Sequence, residues 1–420
     1  MNFQQGLSGL NATSKNLEVI GNNIANANTY GTKASRAEFA DMYAGALNST
    51  VTSNIGIGVR LATVAQQFTQ GSISATDNPL DIAMNGAGFF QVKDTAGSLL
   101  YTRNGQFKLD SEGYIVNNGG QKLLGYQADD QGLVVPRAAS ELRLPTAGID
   151  PKATDRITME MNLDSRNQPT LPAAGGIDFD DPTTYNKATS MTAYDVKGQP
   201  VAMTYYFQKA AADTWNVYAT ANGTAVNTDA AGDPAPLTQV QFPTTGAAPT
   251  SPAAAFNFDI PATVNADGST TEAITAVSLD FSKATQYGAL FSVTDLNQTG
   301  YAPGQISSLN IEQNGVITAR YSNGLTKAAG QIEVANFRNP QGLQALGGNA
   351  WATTFASGNP IVGTPNSGNM GQLQSGALEE SNVDLTAELV NMITAQRIYQ
   401  ANAQTIKTQD SVLQTLVSLR

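Results

Sequence analysis

Apolar positions along this chain follow two regimes, a seven-residue repeat at both ends and a two-residue alternation between them. At the start, Phe3, Leu10, Leu17 and Ile24 recur every seven residues, and Leu7 follows Phe3 by four. This is the spacing of a narrow helical stripe. Ser14 and Gly21 fill the weaker companion positions, and the run ends in Asn-rich sequence before Tyr30-Gly31, a helix stop. The far end repeats the pattern more strongly: Leu385, Met392, Tyr399, Ile406 and Leu413, with Leu389, Gln396, Ala403, Asp410 and Val417 as companions. Ser381-Asn382-Val383-Asp384 reads as a capping box ahead of it. No Gly or Pro interrupts residues 381–420, which predicts a helix roughly 55 Å long. A helix lying on its own domain carries a wider apolar face than this. Two narrow stripes at opposite ends therefore predict that the termini meet in a coiled coil.

Between the ends the signal is β. Residues 88–92 and 99–103, 107–109 and 114–116, and 309–312 and 316–321 are alternating runs joined by Gly-containing turns, the signature of hairpins. Residues 332–337 read as a further strand. Residues 203–207 and 215–218 are strands inside an Ala/Thr/Pro/Gly-rich block, 146–285, flanked on both sides by the first β set. The expected fold is mainly β with long terminal α-helices, in which two nested β domains accompany a helical coiled-coil domain. The segments divide as 1–30 with 381–420 (helical), 31–75 and 360–380 (extended connectors), 76–145 with 286–359 (a discontinuous β domain) and 146–285 (an inserted outer β domain). Nesting brings both ends out side by side, as a terminal coiled coil requires.

Composition narrows the chemistry. The chain has 420 residues, no Cys and no His. A thiol nucleophile, a disulfide, a Cys/His zinc site and a Ser-His-Asp triad are all excluded. Charged residues are only 14% and the net charge is −11; an acidic chain with no basic run is a poor nucleic-acid or anionic-membrane ligand. No apolar run reaches the ~20 residues that span a bilayer. The first residues lack the basic and apolar regions of a secretory signal, so the chain is expected either to stay in the cytoplasm or to leave by a route without a cleaved signal. Gly56-Ile57-Gly58 and Gly86-Ala87-Gly88 lack the βαβ setting of a nucleotide site and read as turns. Asp178, Asp180 and Asp181 read as a solvated loop before Pro182. No cofactor or metal is expected.

Longer motifs carry more information. They are Leu17 to Gly31, containing Asn22-Asn23-Ile24-Ala25-Asn26-Ala27-Asn28; Phe39-Ala40-Asp41-Met42-Tyr43; Asn78 to Phe90; and Gly376 to Leu385, containing Ser381-Asn382-Val383-Asp384. Residues 388–393 and 396–408 close the run. In these residues the chain resembles the bacterial flagellar hook proteins, within the wider family of flagellar rod and hook axial proteins. The resemblance covers 1–145 and 285–420; the middle block matches in size and character only.

The resemblance implies a structural subunit that polymerises into a curved, flexible tube joining rod to filament and transmitting torque as a universal joint. It implies terminal helices innermost, β domains outside, and an extracellular place reached by type III export without a cleaved signal. It also implies the rod, the hook cap, the hook–filament junction proteins and the export apparatus as partners. The stripe residues named above are the expected self-assembly surface, and Asn22, Asn23, Ile24, Ala25, Asn26, Asn28, Gly31 and Ser381–Asp384 the family motif. Distal rod or hook–filament junction subunits are the nearer alternatives, disfavoured for the rod by length. A carboxylate-dependent glycosidase is the alternative of another class, and it leaves both heptad stripes unexplained.

Overall fold

The computed structural model describes residues 2–43, 56–129, 132–135, 137–145, 148–170 and 176–418. The chain divides into two compact units. The first comprises residues 1–146, 307–320 and 326–420, and the second 147–306 with 321–325. The fold is mainly β, with one long helix at each end.

In the first unit, helix α1 (Asn2–Ala25) leads into strand β1 (Ser35–Tyr43), which pairs antiparallel with β2 (Gly56–Gln66). Residues expected to be a plain extended connector thus form a long two-stranded ribbon. Beyond it lies a 13-stranded sheet whose central strand, Phe89–Lys93, pairs with Leu99–Thr102, Lys122–Gln127 and Val334–Asn336. The segment 360–380 is likewise no plain connector. Strands Ile361–Gly363, Gln372–Ser375 and Ala377–Glu379 pair with Val334–Asn336, Ile82–Asn85 and Ile73–Ala75. Helix α2 (Leu385–Ser418) closes the chain.

Alternation explains the core of this unit. Phe90, Val92, Leu100, Phe107, Ile115, Leu123, Ile317, Ile332 and Val334 are buried together, each on one side of a strand whose adjacent residues point to the opposite side. On the other face Phe89, Tyr101, Phe337 and Trp351 form a second cluster, with Phe68 against it. Its rings meet edge to face at centroid separations of 4.8–5.8 Å, the preferred geometry of aromatic pairs.

The second unit is a two-sheet β structure. Arg156–Asn162 sits between Ile274–Asp280, parallel to it, and Ser292–Gln298, antiparallel. The other sheet is built on the hairpin Pro200–Ala211 and Thr214–Ala221. Met159, Met203, Tyr205, Phe207, Trp215, Val217, Val277 and Leu279 fill one continuous core between them. Because Ser292–Gln298 completes this sheet, residues 286–306 belong with the inserted unit and not with the first β set, to which the sequence pattern assigned them.

Candidate assembly surface

The two terminal helices pack on each other, but not through the companion positions that the sequence pattern singled out. A heptad seam runs a to d over three residues and d to the next a over four. Counting three from the apolar stripe gives Gly6, Thr13 and Ile20 on α1, and these are the buried positions together with Asn23. On α2 the same step gives Glu388, Ala395, Asn402 and Gln409; Ala395 is buried and the others half-buried. The seam is small and polar where a leucine row was expected. Close approach is the consequence: a Cβ added at Gly6 would stand 3.1 Å from Ile406, and one at Gly9 3.0 Å from the Asn402 amide.

The expected stripe residues divide. Leu10, Leu17, Ile24, Met392, Ala403 and Ile406 are half-buried, whereas Leu7, Leu385, Leu389 and Tyr399 are exposed. The side chains of Phe3, Leu413 and Val417 lie outside the described residues. Ile393 extends the exposed apolar side of α2 on which Leu389 retains half of its accessible surface, 50%, while Val390, Ile398 and Val412 are exposed on other sides of the helix.

The family-motif residues build the junction between helices, ribbon and sheet. Asn23 donates to the Ser35 carbonyl (2.8 Å) and to Glu388 Oε1 (3.1 Å), and its Oδ1 accepts from Ser35 N–H (2.9 Å). It thereby pairs both backbone groups at the start of β1. Asn382 accepts from Ala34 N–H (2.7 Å) and donates to the Gln67 carbonyl (2.7 Å) and Thr69 Oγ1 (2.8 Å). Asn26 folds back on the Asn22 carbonyl at 3.0 Å, closing α1. Ala25 and Asn28 are exposed. Gly31 adopts φ +73°, donates to the Glu379 carbonyl, and passes so near the next segment that a Cβ would lie 2.6 Å from Asn104 N; only glycine fits. The cap of α2 is Asp384, not Ser381. Its Oδ1 accepts from Thr386 and Ala387 N–H at 2.9 and 3.1 Å, which are the N2 and N3 positions. Ser381 instead accepts from Val383 N–H.

Beneath the junction lies a charged cluster that sequence reasoning missed. The Glu379 side chain is fully buried, at 0%. It accepts from Lys33 Nζ (2.6 Å), Gly71 N–H (3.0 Å) and Arg103 Nη1 (3.0 Å). Arg103 also donates to the Met84 and Gly86 carbonyls. Burial lowers the Lys33 ammonium and the Arg103 guanidinium from their usual values, and Glu379 opposes both shifts. Three stretches distant in sequence meet at this carboxylate: the exit from α1, the sheet, and the approach to α2. Only the position of Glu379 within the motif 376–385 hinted at it. In the second unit, Asp178 and Asp181 are engaged in loop hydrogen bonds, to Asp180 N–H and to Thr183.

Family models match along most of the chain. They are the flagella basal body rod protein at residues 3–33, the flagellar hook protein FlgE/F/G D1 domain at 83–149, the flagellar basal body protein FlaE D2 domain at 162–301, and the flagellar basal body rod FlgEFG protein C-terminal region at 374–419. The flagellar hook protein FlgE of Salmonella typhimurium is 41% identical over 431 residues, covering 100% of both chains. That of Escherichia coli K12 is 40% identical, again over 100% of both. The chain belongs to the flagellar hook protein family. A crystal structure of Helicobacter pylori flagellar hook protein FlgE2 superposes with TM-score 0.54 at 15% identity, over 72% of this chain and 99% of that one, which is a likeness of fold. Membership places the chain among structural components of the extracellular flagellar hook. Among the described residues no helix is long and apolar enough to cross a membrane.

Proposed function

We propose that this hook-family subunit polymerises through its terminal helix pair into the curved tube that joins rod to filament and transmits torque, and that it performs no catalysis. One observation carries the reading: α2 presents Leu385, Leu389, Ile393 and Tyr399 to solvent within about a third of the circumference of one 34-residue helix. Scattered exposed apolar residues need no explanation, but a long continuous set on one element marks an interaction surface. Its own partner α1 occupies a different face, the small and polar one. The remaining apolar face is therefore free for neighbouring copies, as a filament of identical subunits requires. Rod, cap and junction proteins carrying related terminal segments would meet the same face at the two ends of the tube, and type III export would deliver the subunit.

The test is assembly. The Leu389→Asp, Ile393→Asp double variant should remain a folded monomer and form no tubes in electron micrographs under conditions that polymerise the parent chain. Normal tubes from this variant would refute the assignment of α2 as the assembly face.

A further inference from the structure

One side chain in the first unit is exposed without any of the usual reasons. Phe355 is 104% exposed, as open to solvent as a phenylalanine in a fully extended peptide, whereas every other phenylalanine whose burial is described retains far less. It does not sit on a loose loop. Thr354 Oγ1 accepts from Ala356 and Ser357 N–H (3.1 and 3.3 Å), Ser357 Oγ accepts from Thr354 N–H (3.0 Å), and Asn339 Nδ2 holds the Ala356 carbonyl (3.0 Å). Ser357 itself is buried. The turn rests on the backbone of Gly342, where an added Cβ would stand 2.5 Å from Ala356 C. The ring is thus held outward on a rigid platform. With its backbone held and only two rotatable bonds, an aromatic side chain loses little entropy on docking, which is the character of an interface anchor.

The same unit carries a groove with one apolar wall among the side-chain amides of Gln66, Gln67 and Gln341. A groove of about 530 Å³ opens between the β1–β2 ribbon and the 3-10 turn at Pro340–Gly342, with Val64, Phe68, Leu343 and Ala345 on its walls and the Arg36–Glu38 ion pair at its rim. Val64 is left exposed there, and Phe68 is the outermost ring of the edge-to-face aromatic cluster. An incoming phenyl group would extend that cluster by one member. The molecule does not fill the groove with its own Phe355, although the turn that bears it lies beside Gly342.

We propose that Phe355 of one copy inserts into the Val64–Phe68–Leu343 groove of the next, forming a heterologous contact outside the terminal helices. Knob and socket are different patches of one surface, and in a helical stack of identical copies such a contact repeats from each copy to the next. The inference rests on the self-assembly reading, which supplies a second copy as the occupant. It adds a lock between β layers to the contact made by α2.

The chain contains no cysteine, so introduced thiols report without background. The doubly substituted Phe355→Cys, Val64→Cys protein, polymerised and treated with a short bis-maleimide, should give a ladder of covalent oligomers on denaturing gels, and each single variant should stay monomeric. Absence of cross-links, or a product that stops at dimer, would overturn the contact. In parallel, Phe355→Asp should melt as the parent does and raise the critical concentration for polymerisation at least about tenfold, on the scale of a buried aromatic anchor. Phe355→Leu should restore most of the loss. If Phe355→Asp polymerises at the parent's concentration while Leu389→Asp, Ile393→Asp does not, this inference alone fails. If the parent chain forms no polymer at all, the assembly reading falls and this one with it.

Discussion

The inserted unit and the terminal helix pair bury hydrophobic residues to very different ends. The inserted unit closes on itself: Trp215, Tyr205, Phe207, Met203 and their neighbours are covered by two sheets from the same chain. The helix pair does not. Ile20 and Ala395 are its only fully buried apolar side chains among the described residues of the two helices, and Leu385, Leu389, Ile393 and Tyr399 of α2 are exposed. A β core of this size meets its cost of chain ordering by itself. A pair of helices joined through glycine, threonine and asparagine positions meets far less of that cost by itself. The lesson is that within one polypeptide the insertion covers its own apolar residues, whereas the helix pair leaves several of its own uncovered.

That contrast can be broken in four places. The largest effect should come from the Leu389→Asp, Ile393→Asp variant: polymer is lost entirely, yet monomer stability changes by no more than about 0.5 kcal/mol, because both side chains already face solvent. Denaturant unfolding of the monomer beside electron microscopy of the polymer reads both numbers; a large loss of monomer stability would mean that these residues serve the subunit's own core. The converse variant is Trp215→Ala. Removing a side chain with no accessible surface should cost about 3–5 kcal/mol. Hydrogen exchange should speed in residues 157–217 and stay unchanged in 82–126, and tubes should still form.

A comparable loss, about 3–5 kcal/mol, is expected from Glu379→Gln, which leaves Lys33 and Arg103 buried without their anion. Here exchange should rise in residues 82–126 and spare 157–217, the mirror image of the tryptophan variant. A uniform rise across both regions would show that the two units unfold as one. The smallest effect is a titration. Burial raises the Glu333 carboxyl above its usual value, and Tyr126 donates to it at 2.8 Å. A raised carboxyl pKa means that the fold favours the neutral acid, so its contribution is complete below the unfolded value and declines as pH rises through the folded one. Glu333→Gln should therefore stabilise the protein at neutral pH and not in acid. The Tyr126 phenol, pushed up to about 12, is likewise favoured neutral, so its contribution fades between its unfolded value and about pH 12. Identical melting curves for parent and Glu333→Gln at pH 7 would contradict the carboxyl assignment.

Much of the fold was legible in the residue pattern. The hairpins at 88–103 and 107–116 follow from alternation interrupted by Gly-containing turns, because both signals are local and each turn permits few geometries. The boundary of the inserted unit was misplaced by about twenty residues, since Ser292–Gln298 places Val293 and Leu296 three apart across a bulge and nothing in it names its partner. The ribbon β1–β2 was overlooked for the same reason. At the helix pair, the apolar stripes marked the two helices that pack together, but the positions buried between them lie three residues along from the stripe. Leucines draw the eye, whereas the observed seam runs through Gly6, Thr13, Ala395 and Asn402, residues whose value is their smallness or their amide.

By itself, the sequence determined what depends on neighbours in the chain: two long helices, a β body, turns where glycine permits them, a capped start to α2, and the absence of thiol and imidazole chemistry. Only the tertiary structure decided which residues from distant segments meet. The Lys33–Glu379–Arg103 cluster, the pairing of Asn23 and Asn382 with the ribbon, and the outward face left to α2 each join positions far apart in the chain or depend on what packs beside them. Pattern and propensity carry local preference, but burial and charge pairing are set by which surfaces the whole chain leaves uncovered once its cores have closed.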